Sequence, residues 1–234
     1  GYSIREVALK SGFSFESHGP SNQIAEYIEK EVLLPLGMAG HSQLMNPGNR
    51  QELAARVYSG VHKNSHDFRF VWEPVYDLGM AMTHSGVISD ATGLARFAIE
   101  LDHGMRRGEE KGPVIGHESY KKWFRVLARD LGYEAKSTKR GNGIGGLFYE
   151  KINTGGKDRY FIGHTGTGFG SRALMYVDPT TGVGVTLVIN SKSANRHKFA
   201  IKAMNVLYDS LSVEKPERMN PVMRGIYEAV SYTH

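Results

Sequence analysis

Apolar residues recur along this chain in two rhythms, and the change from one to the other near Gly146 separates a helical portion from a stranded one. In "GYSIREVALKSG", Ile4, Val7 and Ala8 with a closing Gly12 predict a short amphipathic helix with a glycine stop. A polar insert, "FSFESHGPSN", separates it from a second helix, in which Ser21 is the expected N-cap and Ile24, Ile28 and Val32 recur every fourth residue before "PLGM". From His41 to about Asp77 the pattern is irregular and rich in Asn, His and Gly, with a short strand expected within "FRFVWEPVY". Ser89 is then expected to cap "DATGLARFAIEL", whose Leu94, Phe97, Ala98 and Leu101 form one apolar face despite Gly93. "HESYKKWFRVLARDLG" predicts a further helix that turns Trp123, Val126, Leu127 and Leu131 inward and stops at Gly132.

Beyond Gly146 the period falls to two. "GLFYEKIN", "DRYFIGH", "SRALMYV" and "VGVTLVIN" predict successive strands joined by "TGGK", by a glycine-rich stretch and by the turn "DPTTG", an antiparallel meander. Phe199, Ala203, Val206, Leu207 and Leu211 line a last long helix, and the tail "EKPERMNPVMRGIYEAV" has room for one more. No internal repeat or low-complexity segment is present. The fold class expected from these elements is α/β of the α+β type, an antiparallel sheet flanked by helices.

Charge and composition remove several function classes. The net charge of +5 arises from 29 basic and 24 acidic residues scattered over 234 positions. The densest basic run, "KSTKR" at Lys136 to Arg140, lacks interleaved aromatics and adjoins glycines, so it reads as a solvated loop and no nucleic-acid partner is expected. The absence of cysteine rules out disulfides, thiolate nucleophiles and Cys-type zinc sites. No apolar run approaches membrane-spanning length, and a chain that opens on Gly1 with neither initiator methionine nor signal peptide raises the expectation of a removed upstream segment.

Candidate chemistry is sparse. "GNGIGG" at Gly141 to Gly146 has the spacing of a dinucleotide fingerprint, but a strand follows it where a helix is needed, so it reads as a glycine loop. His62 and His66, with Asp67 adjacent, have metal-ligand spacing in a segment without helical period, and read as surface histidines. Ser-x-x-Lys occurs at Ser119-Lys122 and Ser212-Lys215. The first serine reads as a helix N-cap and the second lies in a polar tail. "FIGHTGTGFGSR" is different: His164, Thr165 and Gly166 close one strand, and the glycines that follow leave room for a ligand to approach the backbone. A flexible hairpin and a functional site both fit this stretch.

The chain resembles the serine β-lactamase and penicillin-binding-protein-like family, in its class C, esterase and D-aminopeptidase-like branch. "GHTGTGFGSRALMYVDPTTGVGVTLVIN" is similar to the family's K/H-T-G strand, its glycine-rich exit and the next two strands. "SGVISDATGLARF" resembles its "GGL.ST..DLARF" helix entry, and "GYSIREVALKSG…AEYIEKEVLLPLGM" the helix pair after its Tyr-x-Asn motif. The resemblance implies a β-lactamase/transpeptidase-like fold and an acyl-enzyme mechanism. It assigns a catalytic role to His164, as source of positive charge or a proton path, and substrate binding to Thr165, Gly166 and Thr167. The Thr165 hydroxyl would hold a substrate carboxylate, and the Thr167 backbone N–H would form half of an oxyanion hole. Histidine where many members have lysine is only partly charged near neutrality, which points toward the peptidase and esterase relatives.

There are departures from the family pattern. Tyr2 is followed by Ser3-Ile4, which does not give Tyr-x-Asn, Ser85 replaces a glycine, and the insert at Phe13 to Pro20 is additional. In the family, Ser-x-x-Lys and Tyr-x-Asn lie upstream of the "GY" helix. The chain is therefore expected to be one N-terminally incomplete domain: helices at 1–40, a helical and irregular part at 41–145, strands at 146–190, and a helix and tail at 191–234. Its expected partners are a small-molecule or peptide substrate and the nucleophile-bearing N-terminal segment, covalently attached or on another chain. No metal or organic cofactor is implied, and the family suggests the cell envelope or periplasm. Two rival readings are a noncatalytic module that binds peptides or cell-wall fragments on the same fold, and a basic-surface interaction protein.

Overall fold

The structure, a computed structural model, describes residues 4–17, 19–39, 42–44, 57–60, 68–71, 87–106, 114, 140–142, 148–154, 156–167, 172–189 and 195–210. Helix α1 (Ile4–Lys10) ends as its glycine predicts: Gly12 adopts φ 86°, and the Phe13 N–H reaches back to the Ala8 carbonyl at 3.0 Å. Its buried residue is Ala8, whereas Ile4 and Val7 are 43% and 48% exposed, so the expected inward line narrows to one small side chain. Helix α2 (Pro20–Ile28) is entered at Gly19 rather than at Ser21. Proline at the first helical position already has the φ a helix needs and lacks only an N–H that would be unbonded there anyway, so the helix starts one residue before the expected serine cap.

After α2 the chain continues as a π-helical turn, Glu29–Leu33, in which the Leu34 N–H bonds the Glu29 carbonyl at 2.9 Å. Gly37, at φ 66°, closes it, with the Met38 N–H on the Leu33 carbonyl at 2.8 Å. The polar insert is tied to this helix by one carboxylate. Glu26 accepts the backbone N–H groups of Glu16 and Ser17, the Ser17 hydroxyl and the Lys30 ammonium, while Phe13 packs edge-on against Phe15 and Tyr27.

Two short ribbons follow, β1 (Ser42–Leu44) pairing with β4 (Val87–Ser89), and β2 (Val57–Gly60) with β3 (Phe68–Val71), the strand expected within "FRFVWEPVY". Helix α3 (Ala91–Arg106) is capped by Asp90 rather than Ser89: the Asp90 Oδ1 accepts the Gly93 N–H at 2.8 Å. Ser89 is engaged one residue earlier, paired with Ser42 as the last residue of β4. The α3 face of Ala98 and Leu101 is buried as expected, and Phe97 joins Leu33, Leu36 and Met38 in a cluster beneath the π turn.

The main sheet has five antiparallel strands in sequence order: β5 (Arg140–Asn142), β6 (Phe148–Thr154), β7 (Lys157–Thr167), β8 (Arg172–Val177) and β9 (Gly184–Ile189). The expected meander is present, with β5 added at its start where Gly141 was read as loop. Helix α4 (Arg196–Ser210) covers one face through Ala200, Met204 and Tyr208, while α3 packs against β8 and β9 on the other, where the Thr186 hydroxyl bonds the Ala91 carbonyl at 2.9 Å. The sheet thus lies between helical layers. The α4 face corrects the sequence reading: Phe199 and Val206, expected inward, are 55% and 63% exposed. The residues at positions 200, 204 and 208 present a second stripe at four-residue spacing, and its fit against Phe161, Leu174 and Tyr176 decides which stripe is buried. Each large side chain buried there stabilises the fold by about 1.5–3 kcal/mol. Among the described residues no helix is long and apolar enough to cross a membrane. The helix expected around Trp123 and the tail beyond Ser210 lie outside the described residues.

Candidate active site

The "HTG" stretch lies within β7, not in a bend after it, because the strand runs on through Thr167. The register shows what is special there. On one side β6 pairs with β7 as far as Phe148 opposite Gly163, and the residues just before Phe148 lie outside the described residues. On the other side β8 continues past it, with His164 opposite Met175, Thr165 opposite Leu174, Gly166 opposite Ala173 and Thr167 opposite Arg172. From His164 to Thr167, therefore, β7 is held by β8 and, among the described residues, has no strand on its β6 side.

Strand alternation sorts the side chains. His164 is exposed on the α3 face, in a row with buried Met175 and with Thr186, which ties that row to the first turn of α3. Gly166 shares this face, and a Cβ there would meet the Cβ of Ala173 at 3.3 Å. Thr165 and Thr167 point to the α4 face, the first half-buried opposite fully buried Leu174, the second exposed opposite half-buried Arg172. The structure thus brings His164, Thr165, Gly166 and Thr167 together along the last stretch of β7 while placing histidine and threonines on opposite faces. A single ligand meets both only by lying along the strand.

The approach to this stretch is tightly packed. A Cβ on Gly163 would come to 1.8 Å from the Met175 carbonyl oxygen and 2.8 Å from Cδ1 of Tyr176, so only glycine fits immediately before His164. The Tyr176 ring, directly opposite Gly163, is fully buried, and its phenol donates to the Glu150 carboxylate on β6.

At the far end of β8 lies a polar cluster that the sequence reading missed. Asp178, 1% exposed, accepts the Thr180 N–H at 2.8 Å, the Thr180 hydroxyl at 2.6 Å and the Tyr208 phenol at 2.5 Å, and pairs with Arg159 at 3.4 Å. Arg159 also stacks on the Tyr208 ring at 3.9 Å. Burial, and then the bond to Asp178, push the Tyr208 phenol above its ordinary range. Its only trace in sequence is the turn signal "DPTTG". His62, His66, Asp67, Ser119, Lys122, Ser212 and Lys215 lie outside the described residues, as do Gly143 to Gly146 and the glycine-rich exit from Gly168 to Ser171.

The family model described as Beta-lactamase matches residues 18–207, most of the chain and all of this site. The chain belongs to the Beta-lactamase family. Solved structures agree on its fold, that of the β-lactamase-related serine hydrolases. A D-stereospecific amidohydrolase from Streptomyces sp. is similar at 19% identity and a TM-score of 0.56, over 78% of this chain and 48% of its own. A class C β-lactamase is similar at 16% identity and a TM-score of 0.55, over 89% and 54%. A β-lactamase/D-alanine carboxypeptidase from Pseudomonas syringae is similar at 13% identity and a TM-score of 0.54, over 86% and 55%. The chain spans about half the length of these Beta-lactamase-fold structures. No curated protein matches it.

Proposed function

We propose that the chain forms the larger part of a serine hydrolase domain that cleaves an ester, amide or peptide through an acyl-enzyme, with the nucleophilic serine supplied from outside residues 1–234. The observation that carries this reading is an exposed histidine followed by Thr165 and Gly166 on β7, immediately after a tightly packed glycine, in a chain of the Beta-lactamase family. A substrate lying along that stretch would have the His164 imidazole on one side and the Thr165 hydroxyl on the other. His164 supplies positive charge or a transferable proton, Thr165 holds a substrate carboxylate, and the Thr167 backbone N–H stabilises the oxyanion as the serine attacks. Water then releases the acyl group. The names of the similar structures suggest a β-lactam, a D-alanine-terminated peptide and an amide of D configuration as assay substrates, to which an activated ester is added as a general acyl donor.

The decisive experiment is a pH profile of kcat/KM on the assembled protein, nucleophile included. A limb in the imidazole range is expected, about pH 6–7, and His164→Lys is expected to flatten it because lysine stays charged throughout. His164→Ala is expected to lower the rate by about a hundredfold or more with the melting temperature unchanged, since the side chain is exposed. Equal kcat/KM for wild type, Ala and Lys across that range would end the catalytic reading and leave a binding module.

A further inference from the structure

We propose that Tyr176 and Glu150 are positioning residues for His164, forming a clasp across β7 immediately before the site. The significance for catalysis rests on the reading of His164 given above; the clasp itself rests on packing. Gly163, the residue before His164, is paired on both sides, with Phe148 of β6 and Tyr176 of β8. His164 follows it directly on β7, so the course of the backbone into His164 depends on how firmly Gly163 is held. Two features hold it. The β7 and β8 backbones approach more closely there than any side chain on β7 would allow, since an added Cβ would lie 1.8 Å from the Met175 carbonyl oxygen. The buried Tyr176 ring lies over the gap left by the missing side chain, an aromatic covering a glycine across a strand pair.

The Tyr176 phenol then donates to Glu150 on β6. Strands β6 and β8 stand about 10 Å apart with β7 between them, so this hydrogen bond spans the sheet and ties the outer strands over the middle one. Glu150 is half-buried among the apolar residues of the α4 face, where a carboxylate is retained only if its oxygens are bonded. Both residues lie on the face opposite His164. They act on its placement through the β7 backbone, with no contact to substrate.

The test reads His164 directly and needs no turnover. The chain is labelled with 13C-histidine, and the His164 Cε1–Hε1 resonance, one of ten, is identified by its loss in His164→Ala. Tyr176→Phe, which keeps the ring over Gly163 and removes the phenol, is expected to move that resonance by more than a linewidth. Glu150→Gln, which still offers an acceptor oxygen, is expected to leave it near the wild-type position. Tyr208→Phe removes a phenol–carboxylate bond on the same sheet face but away from Gly163, and is expected to leave it unmoved. If Tyr176→Phe does not fold, Glu150→Leu takes its place. An unmoved resonance in the folded variant, or equal movement by Tyr208→Phe, overturns the proposal. In the assembled enzyme Tyr176→Phe is expected to lower kcat on the order of tenfold to a hundredfold with little change in KM. A moved resonance with unchanged turnover in both Tyr176→Phe and His164→Ala would keep the clasp and sink the catalytic role of His164.

Discussion

Asp178 offers a sharp test of what holds α4 to the sheet. Its carboxylate is buried at the end of β8 and serves the Asp178-to-Val183 turn and the helix together: Oδ1 takes the Thr180 N–H and hydroxyl, and Oδ2 takes the Tyr208 phenol and faces Arg159. Asp178→Ala removes these bonds and leaves a mostly covered guanidinium, its side chain 21% exposed, without its counter-charge. Removing one member of a buried ion pair costs about 3–5 kcal/mol. For a chain of this size each kcal/mol moves the melting temperature by about 2–4 °C, so a fall of about 6–20 °C is expected. Tyr208→Phe removes one hydrogen bond to a charged acceptor and leaves the ring under Arg159, which costs about 1.5–3 kcal/mol, or about 3–12 °C. Asp178→Asn retains an oxygen for the turn but loses the charge, and is expected to fall between them.

Circular dichroism at 222 nm during heating, at constant pH and protein concentration, provides the assay. Asp178→Ala melting within about 2 °C of wild type, or Tyr208→Phe melting below it, would refute the reasoning. The first would mean that α4 is held by apolar contacts alone; the second that the phenol matters more than the charge it serves.

Three further expectations concern other parts of the chain. The Ser17 hydroxyl first, then the Glu16 backbone N–H, hold the Glu26 carboxyl down at about 2 against an ordinary 4.5, so its contribution is intact above about pH 4.5 and is lost as the pH falls toward 2. Hydrogen exchange at the Glu16 and Ser17 amides should lose protection across that window, and Glu26→Gln should remove it at neutral pH; protection unchanged in both would show that the insert is held by its aromatic residues. Gly163→Ala must displace β8 at Met175 and is expected to cost at least about 1–3 kcal/mol by thermal melt, so a wild-type melting temperature would contradict the packing at that point. The chain without a further segment is expected to turn over neither p-nitrophenyl acetate nor nitrocefin, and turnover abolished by Ser119→Ala would show that Ser119-Lys122 supplies the nucleophile after all.

Features governed by local backbone chemistry were legible in the sequence. Gly12 stops α1 because a left-handed residue lets the last carbonyls find N–H partners, and β6 to β9 are legible because successive side chains of a strand go to opposite faces of the sheet. Features decided by competition between similar neighbours were not. Ser89 and Asp90 are both good caps, and strand pairing had already taken Ser89. Helix α4 carries apolar residues on two stripes, and only the shape of the sheet chooses Ala200 and Met204 over Phe199 and Val206. At the site, His164-Thr165-Gly166 stood out because histidine and threonine beside glycines are unusual at a strand end. Tyr176 and Glu150, 26 residues apart, became partners only through a register that no local pattern encodes.

That division of the sheet has a consequence for how the variants should separate. A catalytic histidine needs an exposed, approachable edge, while its placement needs a rigid one, and these demands conflict at a single strand end. Under the proposed role of His164, the two demands fall on opposite faces of the sheet. The α4 face carries the part-buried polar bonds, Tyr176 to Glu150 and Asp178 to Tyr208 and Arg159, where water competes for them less than on the surface. The α3 face carries exposed His164, backed by Met175 and by the Thr186 bond to α3. Substitutions at Asp178 and Tyr208 should therefore change the melting temperature and leave the pH profile of turnover in place, because they introduce no charge beside the imidazole. Substitutions at His164 should do the reverse. Tyr176, fixed in the buried layer but opposite the glycine that precedes His164, is the residue at which the two effects should coincide.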